Sequence, residues 1–389
     1  MSLVIQKYGG KALATSADIA QVAGLVYARV KAGTPVVVVV SALADTTDQY
    51  VALARSVNPQ PRGRELDVLL STGERVAIAM LALALNAIED DIAVSLTGAQ
   101  AGIITDTLHT AARIVEVRPL RVREVLEQGK IPVIAGYQGI TTEKNISTLG
   151  RGGTDATAVA LAVALGARCV EFMKDVDGVA SADPKLVAGT RILPELDYAD
   201  ALAMMGFGAK ILQVPAVELA AEFGMPLAIG NSKTGVAGTI ITDKPLARRT
   251  LGAVVQTAAT LFTPASHAEF LYLEGCLRER TILPLFVRGG DQPLIVLRAS
   301  DEPHLLFPEL AARFDSRFDL LALLGAGAGG VGSLADRIAG AVAPYRADLR
   351  DELYFEDRAL LLVERTRASE LGRTLHSLCA PAQTVPAHL

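Results

Sequence analysis

A chain of 389 residues, 51% hydrophobic and 5% aromatic, exceeds the size at which one hydrophobic core usually stops growing, which predicts two or three globular domains. The formal net charge is −5 and no Lys/Arg block interleaves with aromatic residues, so the sequence lacks the electrostatic footprint of a nucleic-acid or anionic-membrane partner. The apolar runs at 36–40 and 76–85 are far shorter than the roughly 20 residues of a membrane span. We therefore expect neither nucleic acid nor a membrane as a partner.

The N-terminus and the cysteines favour a reducing, cytoplasmic location. Residues 1–4 lead directly into a strand-like segment, without the charged and apolar regions of a signal peptide. The 3 cysteines, Cys169, Cys276 and Cys379, are widely separated and odd in number, which is typical of reduced thiols that pack in the interior. The 5 histidines have no ligand-like spacing, so we predict no metal site built from protein ligands.

Up to about residue 245, short apolar runs alternate with helix-length amphipathic segments. This pattern predicts an α/β fold with a mostly parallel sheet and helices on both faces, whose loops hold the chemistry. The predicted strands are 3–8, 36–40, 92–96, 131–135, 169–173 and 226–229. The predicted helices are 16–30, 65–86, 121–128, 154–165 and 199–205.

The pattern changes near residue 245, where we place the boundary between a first domain, 1–245, and a second, 246–389. In the second domain, the order strand, Gly turn, helix, strand, strand, helix predicts a small module at about 317–380. The segment 250–315 predicts a more degenerate module of the same kind.

The first Gly-rich segment, Lys7-Tyr8-Gly9-Gly10-Lys11, ends the first predicted strand. Residues without side chains let backbone N–H groups approach phosphate oxygens, and the lysines add positive charge. A tight strand-to-helix turn also requires glycine. The segment alone therefore leaves phosphate binding and a purely structural turn open.

The second Gly-rich segment, 147–155, leads into a predicted helix and contains Arg151 and Asp155. An arginine grips a carboxylate bidentately, and a helix N-terminus attracts anions. A solvated turn with a Thr or Asp N-cap is the structural alternative.

The third segment, 174–185, follows the strand that ends at Met173 and is rich in Asp. Its carboxylates are suited to organising hydrated Mg²⁺, and its loop to seating a nucleotide. Asp-Pro punctuation of a structural turn is the alternative.

Together, in this order and at these intervals, the three segments resemble the aspartokinase branch of the amino-acid kinase family. The resemblance extends over 3–240 and includes 37–48, 71–75, 96–103, 135–139 and 207–212. It implies an α/β three-layer sandwich with a mostly parallel sheet, followed by a smaller α+β ACT-like regulatory domain. It also implies a homodimer or higher homo-oligomer that forms through the ACT-like region.

The resemblance implies ATP-dependent phosphorylation of the 4-carboxylate of L-aspartate, with Mg²⁺ carried by the nucleotide. The implied catalytic residues are Lys7, Asp155 and Lys210. The implied substrate-binding residues are Ser41, Thr47, Glu74, Arg151 and Gly152. The implied ATP-binding residues are Lys7, Tyr8, Gly9, Gly10, Lys174, Asp175, Ser181, Asp183, Pro184, Lys185 and Lys210.

These residues suit an acceptor that is already ionised at pH 7 and needs no general base, because positioning and charge neutralisation then suffice. In this interpretation Glu74 pairs with the substrate ammonium and Arg151 with its α-carboxylate. Ser41 as a turn cap and Glu74 as a solvated helix residue are the structural alternatives.

Some positions depart from the family pattern. Lys11-Ala12 stand where aspartokinases usually have Thr-Ser, which is closer to N-acetylglutamate kinases, and Lys174 stands where they commonly have Thr. A kinase of a substituted or N-modified amino acid therefore stays open, as does a non-catalytic sensor of amino acid or nucleotide. Glu74 favours a free ammonium group and thus aspartate. Because the first module of the tail is hard to recognise, we expect altered lysine or threonine feedback in a pathway-specific enzyme.

Overall fold

The computed structural model describes residues 2–150, 152–243, 252–280, 282–290, 292–325, 330–355 and 357–379. The strands are β1 Val4–Tyr8, β2 Val36–Val40, β3 Ala93–Leu96, β4 Ile103–Thr105, β5 Ile114–Val117, β6 Ile131–Ala135, β7 Gln138–Thr141, β8 Ile146–Thr148, β9 Cys169–Lys174, β10 Glu195–Asp197, β11 Leu227–Asn231, β12 Ala237–Thr242, β13 Ala253–Phe262, β14 Phe286–Arg288, β15 Leu294–Arg298, β16 Phe314–Leu324, β17 Leu349–Tyr354 and β18 Arg358–Glu364. The helices are α1 Ser16–Lys31, α2 Thr46–Val57, α3 Arg64–Ile88, α4 Leu120–Glu127, α5 Gly153–Leu165, α6 Tyr198–Gly206, α7 Val214–Phe223, α8 His267–Glu279, α9 Pro303–Leu306, α10 Gly330–Val342 and α11 Arg365–Ser377.

The central sheet has eight strands in the order β10-β12-β11-β9-β1-β2-β6-β3. All of its neighbouring strands run parallel except β11 and β12, which are antiparallel. The strand β2 consists of five valines that are all buried, as expected for a strand covered on both faces. The six predicted strands are confirmed, two with identical bounds and four with ends that differ by one or two residues.

Helices cover both faces of this sheet. On one face α1 and α3 pack onto β2 and β6 through a cluster that includes Val26, Leu81 and Leu85. On the other face α5, α6 and α7 pack through a cluster that includes Leu161 and Val217. Of the described helices, only α3 is long and apolar enough to cross a membrane, but half of its apolar window is buried in the protein. It is therefore a core helix of the fold.

A small four-stranded sheet, β5-β4-β7-β8, lies beside the central sheet and was not predicted from the sequence. Its strands have only three or four residues each, which is too short for a clear alternation of apolar and polar side chains. The helices α2 and α7 were also missed. The helix α2 has no fully buried residue, so its sequence carries little apolar periodicity.

The tail forms a second sheet of six strands in the order β14-β15-β13-β16-β18-β17. The long strands β13 and β16 pair antiparallel at its centre. From β16 onward, the elements follow the order strand, helix, strand, strand, helix. The segment from β13 begins in the same way, but its last helix is reduced to the four residues of α9 and a 3₁₀ turn.

The residues from β13 onward contact loops of the part of the chain that contains the central sheet. Val254 N donates to the carbonyl of Ser181 (2.9 Å), the hydroxyl of Thr257 donates to the carbonyl of Phe207, and Arg298 donates to the carbonyl of Gly206. The boundary that we predicted near residue 245 lies outside the described residues and stays a prediction.

Candidate active site at the carboxyl edge of the central sheet

The candidate site lies where the parallel strands β1, β2, β6 and β9 end. Lys7 is the next-to-last residue of β1, Ser41 is the first residue after β2, and Lys174 is the last residue of β9. Strand β1 lies between β9 and β2, so the chain crosses to opposite sides of β1 at this point. Ligands of open α/β sheets bind in the crevice at such carboxyl ends.

A largely buried ion pair joins Lys7 to the first turn of α5. Lys7 Nζ lies 2.8 Å from Asp155 Oδ1, and the two side chains are 14% and 10% exposed. Asp155 follows Gly152, the N-cap of α5, whose φ of +85° belongs to the left-handed region that favours glycine. A Cβ at Gly152 would lie 2.3 Å from the Gln213 side chain. The ion pair therefore holds Lys7 at the open edge of the sheet, beside a helix N-terminus.

The two glycines after β1 have different surroundings. A Cβ added at Gly10 would lie 2.4 Å from the carbonyl oxygen of Ala42, whereas one added at Gly9 would meet only Lys7 Nζ at 3.7 Å. The backbone of Gly10 is thus pressed against the loop that follows β2. Gly9 leaves an open face beside the Lys7 ammonium, which is the geometry that a phosphate requires.

Lys174 links this edge to the loop that carries Lys210. Its Nζ donates to the carbonyl of Ile211, the residue next to Lys210. Burial lowers the pKa of Lys174, the charge of Asp155 opposes this shift, and the charge of Lys7 adds to it. Lys174 therefore lies in the same electrostatic environment as the Lys7–Asp155 pair. Lys210 itself is exposed.

Glu74 is the buried carboxylate of the site. It is 2% exposed on α3, and its Oε1 accepts a hydrogen bond from Ala42 N (3.1 Å). Its Oε2 is buried and has no partner among the residues that the structure describes. Burial raises the pKa of Glu74 to about 7, although the backbone hydrogen bond from Ala42 opposes this shift. Such a carboxylate is suited to binding a cation that would pair with Oε2.

Two of the remaining predicted substrate residues, Ser41 and Thr47, lie in the segment that follows β2. Ser41 is half-buried, and its N–H donates to the carbonyl of Tyr8 (3.1 Å). Thr47 is half-buried in the first turn of α2. Arg151 lies outside the described residues, between Gly150 and Gly152.

The side chains of two residues that we predict to bind ATP are buried in the interior. Tyr8 is 1% exposed, and its hydroxyl donates to Gln6 inside the core (3.3 Å). Ser181 is fully buried, and its Oγ lies 2.8 Å from Nε2 of His376 in α11. Tyr8 ends β1 and Ser181 lies in an Asp-rich loop, and the sequence alone does not show which side chains of these segments point inward.

Four other predicted ATP-binding residues of this loop are exposed, namely Asp175, Asp183, Pro184 and Lys185. Asp175 lies 3.9 Å from Lys11 Nζ, and both side chains are mostly open to solvent. Asp183, Pro184 and Lys185 form an exposed turn in which Lys185 N donates to Asp183 Oδ1 (2.9 Å). This turn is accessible to a ligand, but no described contact joins it to Lys7.

The site suits a metal ion that arrives with phosphate. Among the described residues, no group of three or more His, Cys, Asp or Glu side chains is arranged to hold an ion by itself. Asp155 and Asp175 each lie beside a lysine at this edge. Because Mg²⁺ is usually bound by one or two carboxylates together with nucleotide phosphates, this donor set fits such an ion.

Sequence reasoning missed a second buried carboxylate, Asp67, which lies two turns before Glu74 on α3 and is 0% exposed. It also missed Tyr137, a half-buried residue with a φ of +65° between β6 and β7. The signal for Asp67 was a charge on the apolar face of a predicted helix. Tyr137 lay within a matched segment but had no property of its own that identified it.

A protein-family model and the sequences of related proteins both match the part of the chain that contains the central sheet. A model described as the amino acid kinase family matches residues 2–231. The chain is 47% identical over 242 residues to the aspartokinase of Corynebacterium efficiens, which covers 62% of this chain and 57% of that protein. It is 43% identical over 244 residues to the aspartokinase of Geobacillus stearothermophilus, covering 63% of this chain and 60% of that protein. The matched region thus spans less than two thirds of these relatives.

Solved structures resemble the chain over its full length. Aspartokinase III of E. coli, determined in complex with aspartate and ADP, superposes with a TM-score of 0.77 at 22% identity and covers 97% of this chain and 99% of that chain. Aspartate kinase from Synechocystis has a TM-score of 0.57 at 29% identity, covering 100% of this chain and 71% of that chain. The expected fold class, an α/β kinase unit followed by a smaller α+β unit, is confirmed.

Proposed function

The chain belongs to the amino acid kinase family, and from this premise we propose that it uses ATP to phosphorylate the 4-carboxylate of L-aspartate, forming 4-phospho-L-aspartate. The observation that carries the choice of substrate is Glu74, a buried carboxylate with one oxygen unpartnered among the described residues. An ammonium group satisfies this oxygen and restores the charge balance of the buried site. An N-acetylated amino acid offers no such cation, which argues against the N-modified alternative.

The nucleotide half of the site is formed by the ends of β1 and β9. We assign phosphate binding to the backbone of Gly9 and Gly10 and to the ammonium group of Lys7, which Asp155 holds in place. Lys174 and Lys210 add positive charge from the opposite side of the crevice. When bound, Mg²⁺ neutralises charge on the β- and γ-phosphates.

The transfer step requires little covalent chemistry from the protein. An oxygen of the ionised β-carboxylate attacks the γ-phosphorus, the bond from that phosphorus to the bridging oxygen breaks, and ADP leaves with the electron pair. No proton is transferred, so the chain needs no general base. Its residues act by holding the acceptor in line and by stabilising the charge on the transferring group.

The tail and the cellular location remain part of this proposal. We propose that the residues from β13 onward form an ACT-like regulatory unit that pairs subunits, that the kinase unit is 1–245, and that the protein acts in the cytoplasm. The contacts of Thr257 and Arg298 with the turn before Lys210 give this unit a physical connection to the site. The reduced helix α9 supports altered feedback by lysine or threonine.

The direct test of the activity is a hydroxamate assay, which traps acyl phosphates. The protein is incubated with Mg-ATP and, separately, aspartate, glutamate, N-acetylaspartate and N-acetylglutamate. We expect turnover of aspartate that is lost in Lys210→Ala. Turnover of an N-acetylated acid alone would support the alternative kinase, and no turnover of any acid would support a non-catalytic sensor.

We predict that the KM for aspartate falls as the pH rises from 6 to 8. The raised pKa of Glu74, about 7, leaves the carboxyl mostly neutral at pH 6 and mostly charged at pH 8. Only the charged form pairs with the substrate ammonium, so the charged fraction and the apparent affinity increase about tenfold over this range. Initial rates at several aspartate concentrations measure this change. A KM that is constant between pH 6 and 8 would contradict the role of Glu74.

We predict that Gly10→Ala lowers kcat/KM for ATP by at least about tenfold, because its Cβ would collide with the carbonyl of Ala42 and displace the loop. Gly24→Ala in α1 is the control, since a Cβ added there would have no other atom within 4 Å. Steady-state kinetics with varied ATP compares the two. Equal losses in both variants would show that contact with Ala42 does not set the loop.

A further inference from the structure

Asp67 is a fully buried carboxylate that the proposed mechanism does not use. It lies on α3 with 0% exposure. Its Oδ1 accepts hydrogen bonds from Thr110 N (3.0 Å) and from the Thr148 hydroxyl, and its Oδ2 lies 2.6 Å from His109 Nδ1. Burying a carboxylate costs free energy unless all its oxygens are bonded. Three contacts satisfy this carboxylate, and all three come from segments of the small four-stranded sheet and its loops.

The segments that Asp67 holds are strained. Thr110 and Tyr137 each have a φ of +65°, and a residue that is not glycine avoids this region, above all a β-branched one. Such strain persists only where surrounding contacts impose it, and it is concentrated at functional sites. Thr110 is held through its amide by Asp67, and Tyr137 accepts a hydrogen bond at its carbonyl from Leu149 N (2.8 Å).

The two strained residues enclose the end of β8, which leads into the second Gly-rich segment. Thr148 is the last residue of β8 and is fully buried. The next residue, Leu149, packs against Gly153. A Cβ added at Gly153 would lie 2.4 Å from the Cβ of Leu149. Gly153 opens α5, the helix that presents Asp155. A shift of Thr148 would thus move the segment 149–153 and the first turn of α5.

Helix α3 connects this network to the substrate carboxylate. Asp67, Ser71 and Glu74 lie one turn apart on its buried face. The carbonyl of Ser71 accepts from Gln138 Nε2 (2.8 Å), and Glu74 accepts from Ala42 N. Burial raises the pKa of Tyr137, a hydrogen bond with the side chain of Thr148 opposes this shift, and the charges of Glu74 and Asp67 add to it.

We propose that Asp67 is a positioning residue for the amino-acid half of the site, acting through the Thr148 hydroxyl and the strained turn at 109–110 to set the segment 148–153. Asp67 does not touch the substrate. It fixes Leu149 and Gly153 and, with them, the first turn of α5 beside Gly152, and so it determines how well the acceptor is held. This inference rests on the proposed function of that segment.

The test removes the Thr148 hydroxyl, which hydrogen-bonds Asp67 and Tyr137, without changing the volume of the side chain. In Thr148→Val we expect the KM for aspartate to rise about tenfold, while the KM for ATP and the melting temperature change little. Thr148→Ser keeps the hydroxyl and is expected to restore the KM to within about twofold of wild type. Asn145→Ala is the matched control, because Asn145 lies in the same hairpin and loses only an exposed hydrogen bond with Arg64.

Two outcomes would overturn the inference. One is equal changes in both KM values, or a melting temperature that falls in proportion to activity, since either indicates a merely structural role. The other is an unchanged KM for aspartate in Thr148→Val.

Failure of the proposed function is distinguishable. If the wild type makes no acyl phosphate from aspartate, that function fails, and amide hydrogen exchange over 148–153 then tests the positioning by itself. Faster exchange in Thr148→Val than in wild type and Asn145→Ala is the expected result. Unchanged exchange would contradict the role of Asp67.

Discussion

Replacement of Lys7 by methionine is expected to lower kcat by about 10³-fold or more while the fold is retained. The Lys7 ammonium group is the buried cation at the end of the central strand, and Asp155 holds it 2.8 Å away. Charge that develops on the transferring phosphoryl group has to be neutralised beside a side chain that is only 14% exposed. Loss of a preorganised charge in such a place costs about 10²- to 10³-fold for a neutral donor and more for a cation.

The matched control for this variant is Lys11→Met. Lys11 lies four residues away in the same loop, but its side chain is 86% exposed and 3.9 Å from its acidic neighbour. Solvent screens such a charge, so we expect less than about a fivefold change in kcat. Steady-state kinetics and a thermal melt of both variants provide the comparison. Similar losses in the two variants would show that total positive charge matters and that the buried position of Lys7 does not.

Replacement of Glu74 by glutamine is expected to raise the KM for aspartate by about 30-fold or more, with a smaller change in the KM for ATP. Glutamine keeps an oxygen that accepts the hydrogen bond of Ala42 N, but it offers no charge to the substrate ammonium. A buried hydrogen bond between charged groups is worth about 1.5–3 kcal/mol, which corresponds to this range. The dependence of KM on pH between 6 and 8 is expected to disappear in the variant.

The melting temperature of Glu74→Gln shows whether a raised KM comes from the lost contact with the substrate or from loss of the folded structure. Because burial raises the pKa of Glu74, the folded wild type is favoured by protonation and loses stability as the pH rises from about 4.5 toward 7. Glutamine has no such penalty, so the variant is expected to melt at or above the wild-type temperature at pH 8. Glu65→Gln, at an exposed position of the same helix, is the control for both measurements. A variant that melts well below wild type at pH 8, or that keeps the wild-type KM, would contradict this account.

The central sheet could be predicted because its strands are buried on both faces. The five valines of β2 form a continuous apolar run bounded by turn residues, and the neighbouring strands have the same pattern. The strands β4, β5 and β8 lack this signal, since three or four residues do not establish a period. The sequence therefore indicated the scaffold and missed the small sheet that encloses the acceptor side.

The candidate site could be predicted in part from the resemblance to the amino-acid kinase family. That resemblance placed Lys7 and Asp155 in one site although they are 148 positions apart, and the structure joins them in an ion pair. Whether each side chain points into the interior or toward solvent could not be predicted in this way. The side chains of Tyr8 and Ser181 point into the interior. Asp67 forms hydrogen bonds with residues that are distant in sequence, such as Thr148. Such contacts depend on tertiary packing, which local patterns do not contain.

The measurement that tests the central claim most directly is identification of the product after reduction with borohydride. An acyl phosphate is reduced to an alcohol, so phosphorylation of the 4-carboxylate of aspartate gives homoserine, whereas phosphorylation of the α-carboxylate gives the isomeric 3-amino-4-hydroxybutyrate. We expect homoserine to appear in proportion to the ADP formed with wild type, and to be absent with Lys7→Met. ADP formation with aspartate but without homoserine, or no ADP formation at all, would contradict the proposal that this chain is an aspartate 4-kinase.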